Sequence, residues 1–213
     1  LNRIWREEAA SLTRAGFGTI KAFAETSLST IKARVSDMDS ERLAWLHDQA
    51  KAMKSGKHLV CVPVSFPKSE QAFYLDVESD PLRDWNYLFG ILAVDGERAV
   101  YHSHVAKKES DVSAAWKSAW AELVEHESWS IYHYGWYDRE VLMRHAIEQG
   151  IPELDRRRME QRMIDLYDYT RSRVIFPLPY YSLKDIGAYI GYTWRDSMDG
   201  ADSVLLFEEW LMH

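Results

Sequence analysis

From Ala72 onward the apolar residues change period in a fixed order, and that order restricts the fold more than any other feature of the chain. Phe73-Tyr74-Leu75-Asp76-Val77-Glu78 alternates with a period of two, and residues 87–94 form a mostly apolar run suited to a buried strand. Asp95-Gly96 is a hairpin-turn signal, and residues 99–105 supply the return strand. Residues 110–127 have helical spacing, with Trp116, Trp120 and Leu123 on one side. A fourth strand follows over 129–134, then a helix over 137–149 that Gly150 stops. Further helices are expected over 153–169, 182–190 and 201–212. Three strands able to pair antiparallel, a helix, a strand able to pair parallel and then helices describe an α/β fold with a mixed sheet flanked by helices.

The first 56 residues differ in texture: they contain no proline and read as helical. Ile4, Ala9, Leu12 and Ala15 mark an apolar stripe that ends at Gly16-Phe17-Gly18. Thr19 is the expected N-cap of a second helix, and Ser40 that of a third, which runs through Leu43, Trp45, Leu46 and Ala50 to Met53. Ser55-Gly56 stops it. Residues 58–64 are β-rich, with Pro63 and Pro67 confining them to an edge strand or an extended linker. The expected organisation is a small all-α segment over 1–56, a linker or edge strand over 57–70, and the α/β domain over 71–213.

The net charge of −7 weighs against a polyanionic partner, because nucleic-acid surfaces are normally basic. A site that chelates cations reverses that sign locally. The basic runs Lys107-Lys108, Arg156-Arg157-Arg158 and Arg171/Arg173 read first as solvated helix faces. Cys61 is the only cysteine, so neither a disulfide nor a cysteine-based zinc site can form within one chain. With no apolar run of membrane-spanning length and no signal-peptide core, a cytoplasmic protein is expected, without a membrane partner. The chain opens on Leu1, which reads as a piece of a longer polypeptide.

The chemistry centres on Asp76-Val77-Glu78. Residues two apart in a strand project from one face, so the two carboxylates stand side by side. They repel unless protonated or bridged by a cation, and a pair of divalent ions roughly 3.5–4 Å apart is the solution that suits phosphodiester chemistry. An exposed pair on an edge strand is the plainer alternative. A third acid, Asp138, follows a strand and Gly135, at the start of the next helix. The helix dipole alone could favour it there, but it also lies at the strand ends of one sheet, where α/β sites are built.

The segments YLDVESDPLRDWNYLFGI, IYHYGWYDREVL, MIDLYDYTRSRVIFPLPYYSLKDIGAYIG and WRDSMDGADSVLLFEEW resemble, in order, the motifs of the ribonuclease-H-like exonuclease domain of predicted RecB-type nucleases. Those nucleases belong to the wider DEDD 3′–5′ exonuclease superfamily, and the resemblance covers about residues 71–212. It implies a ribonuclease-H-like fold, two Mg²⁺ or Mn²⁺ ions, Asp76 and Glu78 as first-motif ligands and Asp138 as the second-motif ligand. It places Asp165 at the family's helical acid, as support for the site, and Asp202 at the final aspartate, with Asp199 competing for that position. Where well-studied members carry a His or Tyr that helps activate water, this chain has Ser197 and Met198. Help for the water would then come from His133 or Lys184, although a packed histidine and a solvated lysine are the plainer readings. Tyr134 and His133 border the second motif, Tyr134 more as wall than as base.

Among the aromatic residues that border these motifs, Tyr134, Trp136, Tyr137, Tyr180 and Tyr181 are candidates to stack the bases of a single strand, against a plainer role in the core. Trp85 and Trp194 share that setting. Tyr180-Tyr181, directly after Pro177 and Pro179, are expected to be exposed. LTRAGFGTIKAFAETS resembles the helix-hairpin-helix segment that precedes this domain in the same nucleases, which also carry a separate RecB-like nuclease domain upstream. The resulting expectation is a metal-dependent 3′–5′ exonuclease acting on single-stranded DNA or RNA. The rival is a catalytically weak or inactive ribonuclease-H-like module for nucleic-acid binding or assembly.

Overall fold

The computed structural model describes residues 1–66, 70–80, 83, 85–194 and 200–212. In chain order the elements are α1 (Arg6–Arg14), α2 (Ile20–Glu25), α3 (Leu28–Arg34), α4 (Ser40–Ser55), β1 (Leu59–Val60), β2 (Gln71–Asp80), β3 (Trp85–Asp95) and β4 (Arg98–Val105). They continue with α5 (Val112–Glu125), β5 (Ser130–His133), α6 (Trp136–Glu148), α7 (Glu153–Arg162), β6 (Met163–Asp165), α8 (Leu166–Arg171), β7 (Val174–Ile175), α9 (Leu183–Tyr189) and α10 (Gly200–Leu211). The chain divides into two units, residues 1–65 with 169–193, and residues 66–168 with 194–213. No helix among the described residues is long and apolar enough to cross a membrane.

In the first unit, Leu12, Phe17, Phe23, Ile31, Leu43 and Leu46 are buried together, and they come from α1 to α4 and the turn between α1 and α2. Thr19 caps α2 as its type and position predict, its hydroxyl accepting from the Ala22 amide at 3.1 Å. Between α2 and α4 lies a helix that the sequence pattern does not announce, α3, seven residues long and capped by Ser27. The cap of α4 falls one residue earlier than the pattern predicts. Asp39, not Ser40, is the cap, because its carboxylate accepts from both the Glu41 and Arg42 amides, at 2.9 and 2.8 Å. The β-rich stretch after Gly56 supplies only β1, which pairs antiparallel with β7, Leu59 opposite Ile175.

The second unit is built on a five-stranded sheet in the order β4-β3-β2-β5-β6. The pairs β2–β3 and β3–β4 are antiparallel, while β2–β5 and β5–β6 are parallel. One face is sealed. Phe73, Leu75 and Val77 of β2 and Phe89 and Ile91 of β3 are buried in one cluster with Trp116 and Leu123 of α5 and Leu142 of α6. Each such side chain stabilises the fold by about 1.5–3 kcal/mol, so the register of β2 is strongly specified. The alternate residues Tyr74, Asp76 and Glu78 are thereby turned to the opposite face. The helix expected over 153–169 is a correction: it stops at Arg162, and Met163-Ile164-Asp165 forms β6 beside β5 before α8 begins. Pro67, Ser197, Met198 and Asp199 lie outside the described residues.

Candidate active site

The site begins with the alternation of β2. Asp76 pairs with Gly90 of β3 and Glu78 with Leu88, after which the register shifts between Glu78 and Ser79. Asp76 is exposed, yet the protein around it raises its carboxyl above the usual range. Asp80 extends the same run but is buried, with the Arg83 guanidinium 3.4 Å away.

Asp138 reaches this strand from the neighbouring helix. The chain leaves β5 at His133 and turns at Gly135, whose φ of +88° suits glycine and starts α6 one residue later. Asp138 lies in the first turn of α6, is 6% exposed, and its Oδ1 accepts from the Val77 amide at 3.0 Å. The register of β2 with β5 ends at Tyr74–Tyr132, so further along β2 this carboxylate takes the place a strand neighbour would fill. Burial, and then the negative charge of Asp76, push the Asp138 carboxyl up to about 7; Glu78 adds to the rise. The amides of Val77 and Tyr134 oppose the shift without overcoming it. Asp76 and Glu78 thus act on Asp138 across β2 and α6.

Second-tier residues hold that arrangement. Asp165 ends β6, rather than standing within a helix as its motif implied. Its Oδ1 accepts from the amides of Gly135 at 2.9 Å and Tyr167 at 2.8 Å, tying the Gly135 turn to the start of α8. His133 is 3% exposed, its Nδ1 lies 2.7 Å from the Gly135 carbonyl oxygen, and burial lowers its pKa. The ring therefore braces the turn that carries Asp138 from inside the protein. The sequence reading missed Asn86, which is buried on β3. Its Oδ1 meets Arg144 Nη2 at 3.0 Å and His145 Nε2 at 2.8 Å, and its Nδ2 donates to Ser79 Oγ at 2.7 Å. A single asparagine in an apolar strand gives no sequence signal for such a hub.

The last helix meets the same end of the sheet. Tyr87 stacks on Phe207 at 4.1 Å between ring centroids, and its hydroxyl lies 2.9 Å from Ser203 Oγ. Burial raises the Tyr87 phenol, and the charges of Glu78, Asp80 and Asp76 raise it further. The Ser203 contact holds the first turn of α10, which carries the exposed Asp202, against Tyr87 of β3. Trp85, an aromatic that the motifs suggested as a border, is buried against Phe207 instead. Among the described residues no group of three or more His, Cys, Asp or Glu side chains is arranged to hold a metal ion.

The remaining candidates divide by exposure. Trp136 is open to solvent and meets Tyr137 edge-on, while Tyr134 is half-buried against Tyr167. Tyr137 is partly tied down, its hydroxyl accepting from Asn86 Nδ2 at 3.4 Å. Tyr180, Tyr181 and Lys184 belong to the other unit, Lys184 in the first turn of α9. Tyr180 is 72% exposed as expected, but Tyr181 is only 4% exposed. Its hydroxyl accepts from the Phe176 amide at 2.7 Å, which closes the proline-rich turn and withdraws the ring from any ligand.

The mixed sheet thus carries acids on its middle strand, β2, and at the start of the helix that follows β5. The family whose model matches the chain over residues 73–213 is the RNase_H superfamily, and the chain belongs to it. No curated protein and no solved structure matches the chain. Superfamily membership points to nuclease-type activity, for which divalent metal ions are the general cofactors and nucleic acid a plausible substrate.

Proposed function

We propose that the chain is a metal-dependent nuclease, a 3′–5′ exonuclease on single-stranded DNA or RNA, with Asp76, Glu78 and Asp138 as ligands of two Mg²⁺ or Mn²⁺ ions and Asp202 as the fourth acid. The observation that carries this reading is the placement of Asp138, whose Oδ1 is held by the Val77 amide and whose carboxyl is raised to about 7 by burial and then by repulsion from Asp76 and Glu78. A bound cation removes that repulsion, and an all-carboxylate donor set suits hard oxygen-seeking ions. Two such ions supply a more acidic water and charge stabilisation at the leaving 3′-oxygen. The chain's own part is to orient: Val77 fixes Asp138, Asp165 and His133 fix the Gly135 turn, and Phe207 seats the helix that carries Asp202. Trp136, with Tyr134 and Tyr137, offers aromatic surface to unstacked bases near the second acid motif. The motif resemblance extends the proposal to a RecB-like partner domain, and to phosphate contact by the Gly16–Gly18 turn between α1 and α2.

The second reading is a binding or assembly module that keeps the fold without the chemistry. It is favoured by one observation, that no three acids among the described residues converge to hold an ion. End-labelled single-stranded DNA and RNA incubated with Mn²⁺, Mg²⁺ or EDTA separate the two. The exonuclease reading expects metal-dependent shortening from the 3′ end, reduced at least about 100-fold in Asp76→Ala. Intact substrate in every lane, with wild type and Asp76→Ala binding the strands alike, would establish the module instead.

A further inference from the structure

Gly90 stands in the middle of β3, directly between Asp76 of β2 and Ser103 of β4. Its φ lies outside the left-handed region, so the backbone there does not call for glycine. What calls for it is space. A Cβ at Gly90 would meet the Tyr101 hydroxyl at 2.6 Å, with Cε2 and Cζ of the same ring at 3.2 and 3.3 Å. Tyr101 lies on β4 opposite Leu92, which in turn pairs with Tyr74, so all three share the face of Asp76. The ring therefore leans from the edge strand over the gap at Gly90, and its hydroxyl end points to the Asp76 side of the sheet. Directly paired residues carry their Cβ atoms about 4.5–5.5 Å apart, so the phenol end lies no more than about 8 Å from the Asp76 Cβ.

The ring covers the Gly90 backbone, yet Tyr101 is 58% exposed on an edge strand. The acids around Gly90 present only acceptors to a phosphate, and an anion gaining charge in its transition state is stabilised by fixed donors. Burial, and then the charges of Asp76 and Glu78, raise the Tyr101 phenol above its ordinary value, so it keeps its proton at neutral pH and can donate. We infer that Tyr101 is a catalytic residue whose hydroxyl donates a hydrogen bond to a non-bridging oxygen of the phosphate brought to Asp76 and Glu78, and that Gly90 is the position that admits it. The inference rests on the nuclease reading above and adds to it a specific phosphate donor that no acid motif contains.

The test compares wild type, Tyr101→Phe, Gly90→Ala and the double variant, with kcat and KM for Mn²⁺-dependent cleavage of one single-stranded oligonucleotide. Both sites should tolerate change, since Tyr101 is largely exposed and the atom facing Gly90 is the far end of a side chain that can swing outward. Tyr101→Phe should lower kcat about 10–100-fold and raise KM about threefold, with Mn²⁺ dependence unchanged. Gly90→Ala keeps the hydroxyl but displaces it, so it should lose a similar factor, and the double variant should lose no more than either single one. Tyr101→Phe or Gly90→Ala at the wild-type rate, or a double variant that multiplies the two losses, overturns the inference. Binding of the same oligonucleotide in Ca²⁺ gives a readout independent of turnover. If wild type cleaves nothing and matches Asp76→Ala, the nuclease reading fails by itself. In that case a threefold or greater weakening of binding in Tyr101→Phe still supports the phosphate contact. Equal affinity, or no binding by wild type, removes it.

Discussion

With its carboxyl raised to about 7 by burial and by Asp76 and Glu78, Asp138 holds a proton in the folded chain over a range where the unfolded chain has lost it. An unfolded aspartate titrates near 3.9, so between about pH 4 and 7 the folded state binds more protons and stability falls as pH rises. Asp76, shifted upward by burial, works in the same direction. Thermal melts in EDTA should therefore show a midpoint that declines from pH 4 to 7 and then levels. Asp138→Asn, whose amide oxygen can still accept from Val77, should flatten much of that decline. Mn²⁺ competes with the proton, so its affinity should rise as pH passes through 7, with protons released on binding that calorimetry in buffers of different ionisation enthalpy can count. A flat melt profile in EDTA would contradict the coupling among the three acids. Much of this was legible beforehand: alternation alone puts Asp76 and Glu78 on one face, and Gly135 before Asp138 announces a turn. Tyr101 was not, because its meaning lies in the register that sets it beside Gly90, eleven positions away in sequence. Tyr181 was misjudged because neighbouring prolines suggest exposure, whereas a backbone amide captured its hydroxyl.

Among the elements, α10 is anchored, in its described residues, by Phe207 with Val204 and Leu211 partly buried beside it. Phe207 is its buried anchor, packed on Trp85 and Tyr87, and Ser203 bonds the Tyr87 hydroxyl. Arg83 adds an ion pair to Glu208, and Lys107 sits 4.8 Å over the Trp210 ring, both at the surface. Phe207→Ala should cost about 3 kcal/mol of local packing. Since the loss falls on one helix, it should appear as local opening before global unfolding. Hydrogen exchange should accelerate in α10 while β3 and α5 stay protected; uniform acceleration would mean that the helix is integral to the main core. The long periodic elements were readable, β2, β3, α5 and α6 above all, because each presents a continuous apolar face. The short ones were not. Met163-Ile164-Asp165 has three residues in which to show a period of two, and it follows a helical run without a proline or glycine to mark the break.

For the whole molecule, a net charge of −7 sets how it can meet a polyanion. With few phosphates neutralised by lysine or arginine, few counterions are released, so binding of a single-stranded oligonucleotide in EDTA should be weak and only shallowly dependent on salt. Ca²⁺ should strengthen it by inverting the charge at Asp76, Glu78 and Asp138. Titrations across a salt series check this, and tight binding in EDTA with a steep salt slope would locate the contact on the basic runs instead. One feature lets the state of the site be read within the intact molecule. Because β5 is only four residues long, the Val77 amide has an ionisable oxygen as its partner where a strand carbonyl would ordinarily be. Its NMR resonance is thus a built-in indicator dye: it should move with the Asp138 titration near pH 7 and move again when a cation takes the proton's place, while amides such as that of Phe73, flanked by strands on both sides, stay still.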